Sequence, residues 1–72
     1  MNLSNYIRDI PDFPKKGIIF KDITPLLKNK DALNYILEEF KKRIIKHTID
    51  YIIGIESRGF ILGAALAQSL NC

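Results

Sequence analysis

Apolar residues recur at every third or fourth position along the middle of the chain. The residues with this spacing are Leu33, Ile36, Leu37, Phe40 and Ile44. The pattern predicts an amphipathic helix over residues 31–46, with Asn29 or Asp31 as its N-cap. On the polar face, two glutamates each precede a basic residue by four positions, a spacing that favours ion pairs on a helix. These pairs are Glu38 with Lys42 and Glu39 with Arg43.

The N-terminal segment alternates short apolar runs with prolines. Apolar spacing over Leu3–Asp9 predicts a short helix, which must stop near the first proline because proline disfavours helix in the residue before it. Residues 10–17 contain two prolines and a glycine and are predicted to form an irregular loop. Residues 18–20 predict a short strand, and Pro25 is expected to keep residues 22–24 out of a helix.

The C-terminal part begins with an apolar run, Tyr51–Ile55, which predicts a strand buried on both faces, as in a parallel sheet. Polar and small residues at 56–59 then predict a tight turn, and residues 60–70 predict a second helix. Helix, buried strand, turn and helix in this order are typical of an α/β doubly wound fold. Because a buried strand needs neighbours at both edges and residues 18–20 are too few to supply them, we expect a truncated domain.

Composition narrows the possible functions. The chain has 72 residues, a net charge of +3 and 47% apolar residues, which is ordinary for a globular protein. One cysteine and one histidine exclude a disulfide framework and a zinc site built from these residue types. The first residues do not resemble a signal peptide, and no apolar segment is long enough to span a bilayer. We therefore expect a cytoplasmic protein without membrane or nucleic-acid partners.

The turn after the predicted strand is the first candidate for a binding site. It consists of Glu56, Ser57, Arg58 and Gly59. Ligands of open α/β sheets lie at the carboxyl ends of strands, and a helix N-terminus attracts anions. The guanidinium group of Arg58 suits a phosphate, and Gly59 permits close approach of the backbone. A phosphate cradle and an ordinary polar turn with a solvated arginine therefore both remain open.

The second candidate is the proline-flanked stretch 13–25. Phe20 could stack on a planar base, with neighbouring backbone groups reading the edge of that base. Alternatively, Phe13 and Phe20 are core residues beneath a loop, and the residues alone favour this second interpretation.

Three motifs resemble the N-terminal part of the adenine phosphoribosyltransferase family. They are Pro11–Pro14 together with Gly17, then Phe20–Leu27, then Gly54–Phe60. The resemblance implies the N-terminal portion of a type I phosphoribosyltransferase fold, an α/β fold with a parallel sheet flanked by helices and a hood over the active site. Residues 1–28 would form the N-terminal helix and the adenine hood, and residues 29–72 the helix–strand–helix start of the core.

The resemblance also implies a function. Enzymes of this family form AMP and pyrophosphate from adenine and 5-phosphoribosyl 1-pyrophosphate (PRPP), with magnesium, as homodimers in purine salvage. The positions that match the adenine-binding residues of the family are Ile19, Phe20 and Lys21. Those that match its pyrophosphate-binding residues are Glu56, Ser57, Arg58 and Gly59. The resemblance thus favours a binding role for Phe20 and a phosphate cradle at residues 56–59.

The chain departs from the family in two respects. The acidic pair and Thr-Gly-Gly turn that bind PRPP have no counterpart here, and neither does the flexible catalytic loop. We therefore identify no catalytic residue and no metal ligand, and we predict that the 72-residue chain alone is inactive. Two alternatives are a PRPP-sensing transcriptional regulator on the same fold and a small helical protein whose 31–46 helix binds a partner or a membrane.

Overall fold

The structure, a computed structural model, describes all 72 residues and contains two compact units, residues 1–35 and 36–72. In chain order, the elements are a 3₁₀ helix Leu3–Tyr6, strands β1 Arg8–Pro11 and β2 Ile19–Asp22, and helices α1 Thr24–Lys28, α2 Lys30–Ile44 and α3 Glu56–Leu70. None of these helices combines the length and apolarity needed to cross a membrane. The division into residues 1–28 and 29–72 stays a prediction.

An antiparallel hairpin dominates the first unit. β1 and β2 pair with Arg8 opposite Asp22 and Pro11 opposite Ile19. In the connecting loop, the Asp12 carboxylate accepts a hydrogen bond from the Gly17 amide at 3.0 Å. The predicted helix over Leu3–Asp9 is therefore wrong in its second half, because pairing with β2 outweighs the local helical spacing there. The irregular loop correspondingly begins only after Pro11.

Helix α1 follows β2 directly and was not predicted. Thr24 belongs to this helix, so the expectation that Pro25 would exclude residues 22–24 from helix is wrong at its last position. Proline is tolerated in the first turn because the N–H that it lacks would have no intrahelical partner there. Leu26 of α1 and Ala32 of α2 are the buried apolar residues of the first unit.

Helix α2 confirms the main periodic prediction, with bounds Lys30–Ile44 rather than 31–46. Asn29 provides its cap, because the side-chain oxygen accepts hydrogen bonds from the amides of Asp31 and Ala32, both at 3.0 Å. The two glutamates pair with the lysines three positions later and not with the predicted residues four positions later. These pairs are Glu38 with Lys41 at 2.9 Å and Glu39 with Lys42 at 3.4 Å.

The second unit lacks the buried strand that was predicted over Tyr51–Ile55. The sheet of this protein consists of β1 and β2 only, and residues 51–55 pair with no other strand. Exposure alternates along them: Ile53 is 87% exposed, whereas Ile52 is half-buried and lies near Gly63 of α3. Burial on both faces requires further strands and a second layer, which these 72 residues do not supply.

Helix α3 starts at Glu56, four residues earlier than predicted, so the expected polar turn is the first turn of the helix. Its C-terminus has the hydrogen bonds of a Schellman motif. Asn71 adopts the left-handed conformation with φ 60°, and the Cys72 amide donates to the Ala67 carbonyl at 3.0 Å.

Candidate functional site

The first candidate surface lies on β2, which carries Ile19, Phe20 and Lys21 in succession. The ring of Phe20 meets that of Phe13 edge to face, with centroids 5.4 Å apart and planes at 73°. Phe13 is 51% exposed and Phe20 is half-buried, so neither is a core residue as the second interpretation of this stretch required. The two rings form an apolar surface on the hairpin that remains accessible to a ligand.

The backbone of β2 has a regular orientation next to Phe20. In an antiparallel pair, successive residues direct their N–H and C=O groups alternately toward the partner strand and away from it. Ile19 and Lys21 therefore share one backbone orientation, and Phe20 has the other. The Lys21 ammonium group lies 2.7 Å from the Asp9 carboxylate across the hairpin. Both groups are exposed, so this pair contributes at most about 1 kcal/mol, but it shows where the lysine side chain lies.

Asp22 holds the candidate surface in place, and the sequence reasoning missed it. One carboxylate oxygen accepts from the Arg8 guanidinium Nη2 at 2.7 Å and Nε at 3.1 Å, and from the Thr24 hydroxyl at 3.1 Å. The other oxygen accepts from the Thr24 amide at 2.9 Å. The carboxylate thereby links β1, β2 and α1. An aspartate two residues before a threonine at a helix start is a recognisable turn signal that could have identified it.

The electrostatics of Asp22 follow from these contacts. The residue is 7% exposed. The hydrogen bond from the Thr24 amide is the main cause that lowers the pKa of Asp22 below its ordinary value, followed by the bond from the Thr24 hydroxyl. Burial raises the pKa of this carboxyl group, but Arg8 opposes that effect by hydrogen bonding and charge. The carboxylate is therefore ionised at neutral pH beneath the hairpin surface.

The second candidate surface is the first turn of α3, which brings together Glu56, Ser57, Arg58 and Gly59. A helix start leaves up to four amides without an intrahelical partner and carries a partial positive charge of about half a unit. No side chain caps this start, where Ile55 occupies the N-cap position. Ser57 and Arg58 are exposed. The arrangement can therefore hold an anion at the helix end, with a guanidinium group nearby.

The backbone at this turn is strained and closely packed. Glu56 has a φ of 63°, a left-handed conformation that costs a non-glycine residue about 1–3 kcal/mol. Just before it, the backbone of Gly54 touches that of Gly59. A Cβ atom on Gly54 would overlap the Gly59 carbonyl oxygen and lie 2.9 Å from the Phe60 nitrogen. Gly59 was predicted to let the backbone approach a phosphate closely, whereas its contact with Gly54 was not predicted.

Other parts of the chain contribute no comparable site. No three histidine, cysteine, aspartate or glutamate residues come together in a way that could hold a metal ion. A groove of about 310 Å³ in the second unit is lined by Lys41, Ile44, Ile45, His47, Ile49 and Leu70. None of the predicted site residues lines this groove.

Known proteins resemble the chain over nearly its whole length. The adenine phosphoribosyltransferase of Halothermothrix orenii is 63% identical over 71 residues, which are 99% of this chain and 42% of that protein. The crystal structure of adenine phosphoribosyltransferase from Thermoanaerobacter pseudethanolicus has a TM-score of 0.89 at 51% identity and matches 96% of this chain and 41% of that one. No protein-family model matches the chain.

A third relative is a solved complex. The Saccharomyces cerevisiae adenine phosphoribosyltransferase, with an imino-altritol bisphosphate and adenine, has a TM-score of 0.85 at 34% identity and matches 96% of this chain and 43% of that one. The chain thus spans about 42% of the length of the first relative. The sequence identity and the structural likeness together show that these 72 residues are homologous to about 42% of an adenine phosphoribosyltransferase and have the corresponding part of the type I phosphoribosyltransferase fold.

Proposed function

We propose that this chain supplies the adenine-binding and pyrophosphate-binding segments of an enzyme of purine salvage. The enzyme would form AMP and pyrophosphate from adenine and PRPP. The observation that carries the proposal is the 63% identity to the Halothermothrix orenii enzyme, which extends over 99% of this chain and therefore over both candidate surfaces. The yeast relative with adenine bound supports adenine as the base.

The hairpin suits a flat, apolar base with polar edges. The ring of Phe20 would pack on the face of adenine, supported from the side by Phe13 at 5.4 Å. The backbone groups of Ile19 and Lys21, which share one orientation, would form hydrogen bonds with the base edge. Hydrogen bonds to the edge fix the orientation of adenine, so its attacking nitrogen can be directed at ribose C1.

The first turn of α3 suits the pyrophosphate group of PRPP. Amides at the helix start and the guanidinium group of Arg58 would hold the phosphate oxygens, and the Ser57 hydroxyl would donate a further hydrogen bond. In the proposed reaction, the bond between ribose C1 and pyrophosphate breaks as the bond to adenine forms. Negative charge then grows on the departing pyrophosphate, and donors fixed in place before the reaction stabilise this charge.

Magnesium is consistent with this arrangement, although the residues present offer it no protein cage. Mg²⁺ is commonly bound by one or two carboxylates together with substrate phosphates and water. Glu56 is the acidic residue in the first turn of α3, so its carboxylate is available to such an ion beside the phosphates. When bound, the metal would neutralise part of the charge of the pyrophosphate group.

A hybrid enzyme tests the proposed function. In this hybrid enzyme, residues 1–72 replace the matching 71 residues of the Halothermothrix orenii protein. We expect it to form AMP from adenine and PRPP in the presence of Mg²⁺, with the unmodified relative as positive control. A hybrid that melts cooperatively but forms no AMP would contradict the proposal.

Three expectations about the chain itself stay predictions. The 72-residue polypeptide alone should form no AMP under the same conditions, because the PRPP-binding motif and the catalytic loop of the family have no counterpart in it. We expect the hybrid enzyme to be a homodimer, and its molar mass from light scattering tests this. The cytoplasmic location is tested by cell fractionation.

A further inference from the structure

We infer that Gly54 is a positioning residue for the pyrophosphate-binding turn, because only a residue without a side chain allows the start of α3 to lie where it does. Gly54 itself is placed outside the binding turn, at the fourth position of the extended segment Tyr51–Ile55. The inference rests on the function proposed for residues 56–59, and it concerns what holds these residues in place.

The contact that carries the inference is between two backbone segments. A Cβ atom on Gly54 would overlap the carbonyl oxygen of Gly59 and lie 2.9 Å from the nitrogen of Phe60. Conversely, a Cβ atom added to Gly59 would lie 3.2 Å from the Cα of Gly54. Carbon atoms in favourable contact are about 3.5–4.0 Å apart. Because the atoms in the way belong to the backbone, no side-chain rotation can relieve the overlap.

The chain has little freedom to absorb such a change. Between Gly54 and Gly59, it passes from an extended segment into a helix, and Glu56 makes the reversal with a φ of 63°. A side chain at position 54 would therefore push the Gly59–Phe60 peptide outward or alter the conformation of Glu56. Either change redirects the first amides of α3, and a misplacement of about 1 Å at a reacting group can lower a rate about 100-fold.

Gly63 provides a matched control on the same helix. A Cβ atom there would lie 3.5 Å from Cγ2 of Ile52, which is an ordinary contact with a side chain. Both substitutions, Gly54→Ala and Gly63→Ala, add one methyl group where the extended segment approaches α3. They differ in whether the new methyl group meets the backbone of the binding turn.

The test uses the hybrid enzyme and measures KM for each substrate, kcat and the binding of pyrophosphate by calorimetry. We expect Gly54→Ala to raise KM for PRPP and the dissociation constant of pyrophosphate about 10- to 100-fold, with KM for adenine within twofold of its original value. Gly63→Ala should leave all three constants within twofold. A merely structural role for Gly54 would lower the melting temperature without this selective change.

The possible failures can be distinguished. If the unsubstituted hybrid forms no AMP, the proposed function fails. If it forms AMP and Gly54→Ala behaves like Gly63→Ala, or changes both KM values equally, the inference about Gly54 is wrong. Should Gly54→Ala not fold, Gly59→Ala makes the milder backbone contact of 3.2 Å and should also raise KM for PRPP more than that for adenine. An equal change in both would overturn the inference.

Discussion

Replacing Phe20 by alanine removes the ring that is proposed to lie against adenine, while the backbone of β2 remains. The ring is half-buried and meets Phe13 at 5.4 Å, so part of its surface already packs within the hairpin. Full burial of a phenylalanine makes Phe→Ala cost roughly 3–5 kcal/mol of stability. For a half-buried ring we expect a loss of about 2 kcal/mol.

The effect on adenine binding can be worked out separately. Stacking of a base on an aromatic side chain contributes about 1–3 kcal/mol, as judged by alanine substitution. At about 1.4 kcal/mol for each factor of ten, this predicts a loss of adenine affinity of about 5- to 150-fold. PRPP binding should change less than twofold, because Phe20 is not one of the residues that are proposed to hold the pyrophosphate group.

The measurement is a pair of titrations of the hybrid enzyme at 25 °C, one with adenine and one with PRPP, for the original and the Phe20→Ala proteins. Direct binding is preferable to KM alone, because KM equals the dissociation constant only when chemistry is slow. Phe40→Ala is the control: it removes another half-buried phenylalanine, from α2 and outside both surfaces, and should affect stability without affecting adenine binding. Equal losses of adenine and PRPP affinity in Phe20→Ala would refute the adenine role.

Two further predictions concern stability and are measured by urea unfolding of the hybrid enzyme. The pKa of Asp22 is lower in the folded protein than in the unfolded chain, where it is about 3.9. The ionised carboxylate therefore stabilises the fold above the unfolded pKa, and this contribution to the free energy of unfolding is lost as the pH falls through the folded pKa. Asp22→Asn should therefore have a lower free energy of unfolding than the original protein at pH 6, and this difference should shrink below about pH 4. A difference that stays constant with pH would contradict the prediction. The control is Asp50→Asn, which changes an exposed aspartate. Asn29→Ala should lower the free energy of unfolding by about 1 kcal/mol through loss of the α2 cap, whereas Asn34→Ala, exposed within α2, should lower it by less.

Local signals in the sequence were sufficient for helix α2 but not for strand β1. The spacing of Leu33 to Ile44 and the cap at Asn29 act within a few residues, so they predicted α2 nearly to its ends. Strand β1 depends instead on pairing with residues 8 to 14 positions later, which the local apolar spacing does not report. The apolar run Tyr51–Ile55 was read as a buried strand, yet burial also depends on neighbours that these 72 residues do not supply.

The candidate site was predictable in composition but not in geometry. Residue types suggested a base-binding surface and a phosphate cradle as alternatives, and only the family resemblance favoured both over a core role and an ordinary polar turn. The left-handed conformation of Glu56 and the backbone contact of Gly54 with Gly59 could not be anticipated, because each results from how the extended segment meets α3. Asp22 was missed because its role arises from three elements that come together in space, β1, β2 and α1.

The unpaired segment Tyr51–Ile55 has a consequence for the order of events during protein synthesis. The hairpin of β1 and β2 can close as soon as residue 22 has left the ribosome, because its partners are close in sequence. Residues 51–55 cannot complete a sheet at that stage, and their exposed isoleucines and unpaired backbone attract other chains. Until other backbone pairs with it, this segment is therefore a site where the nascent chain is prone to aggregate.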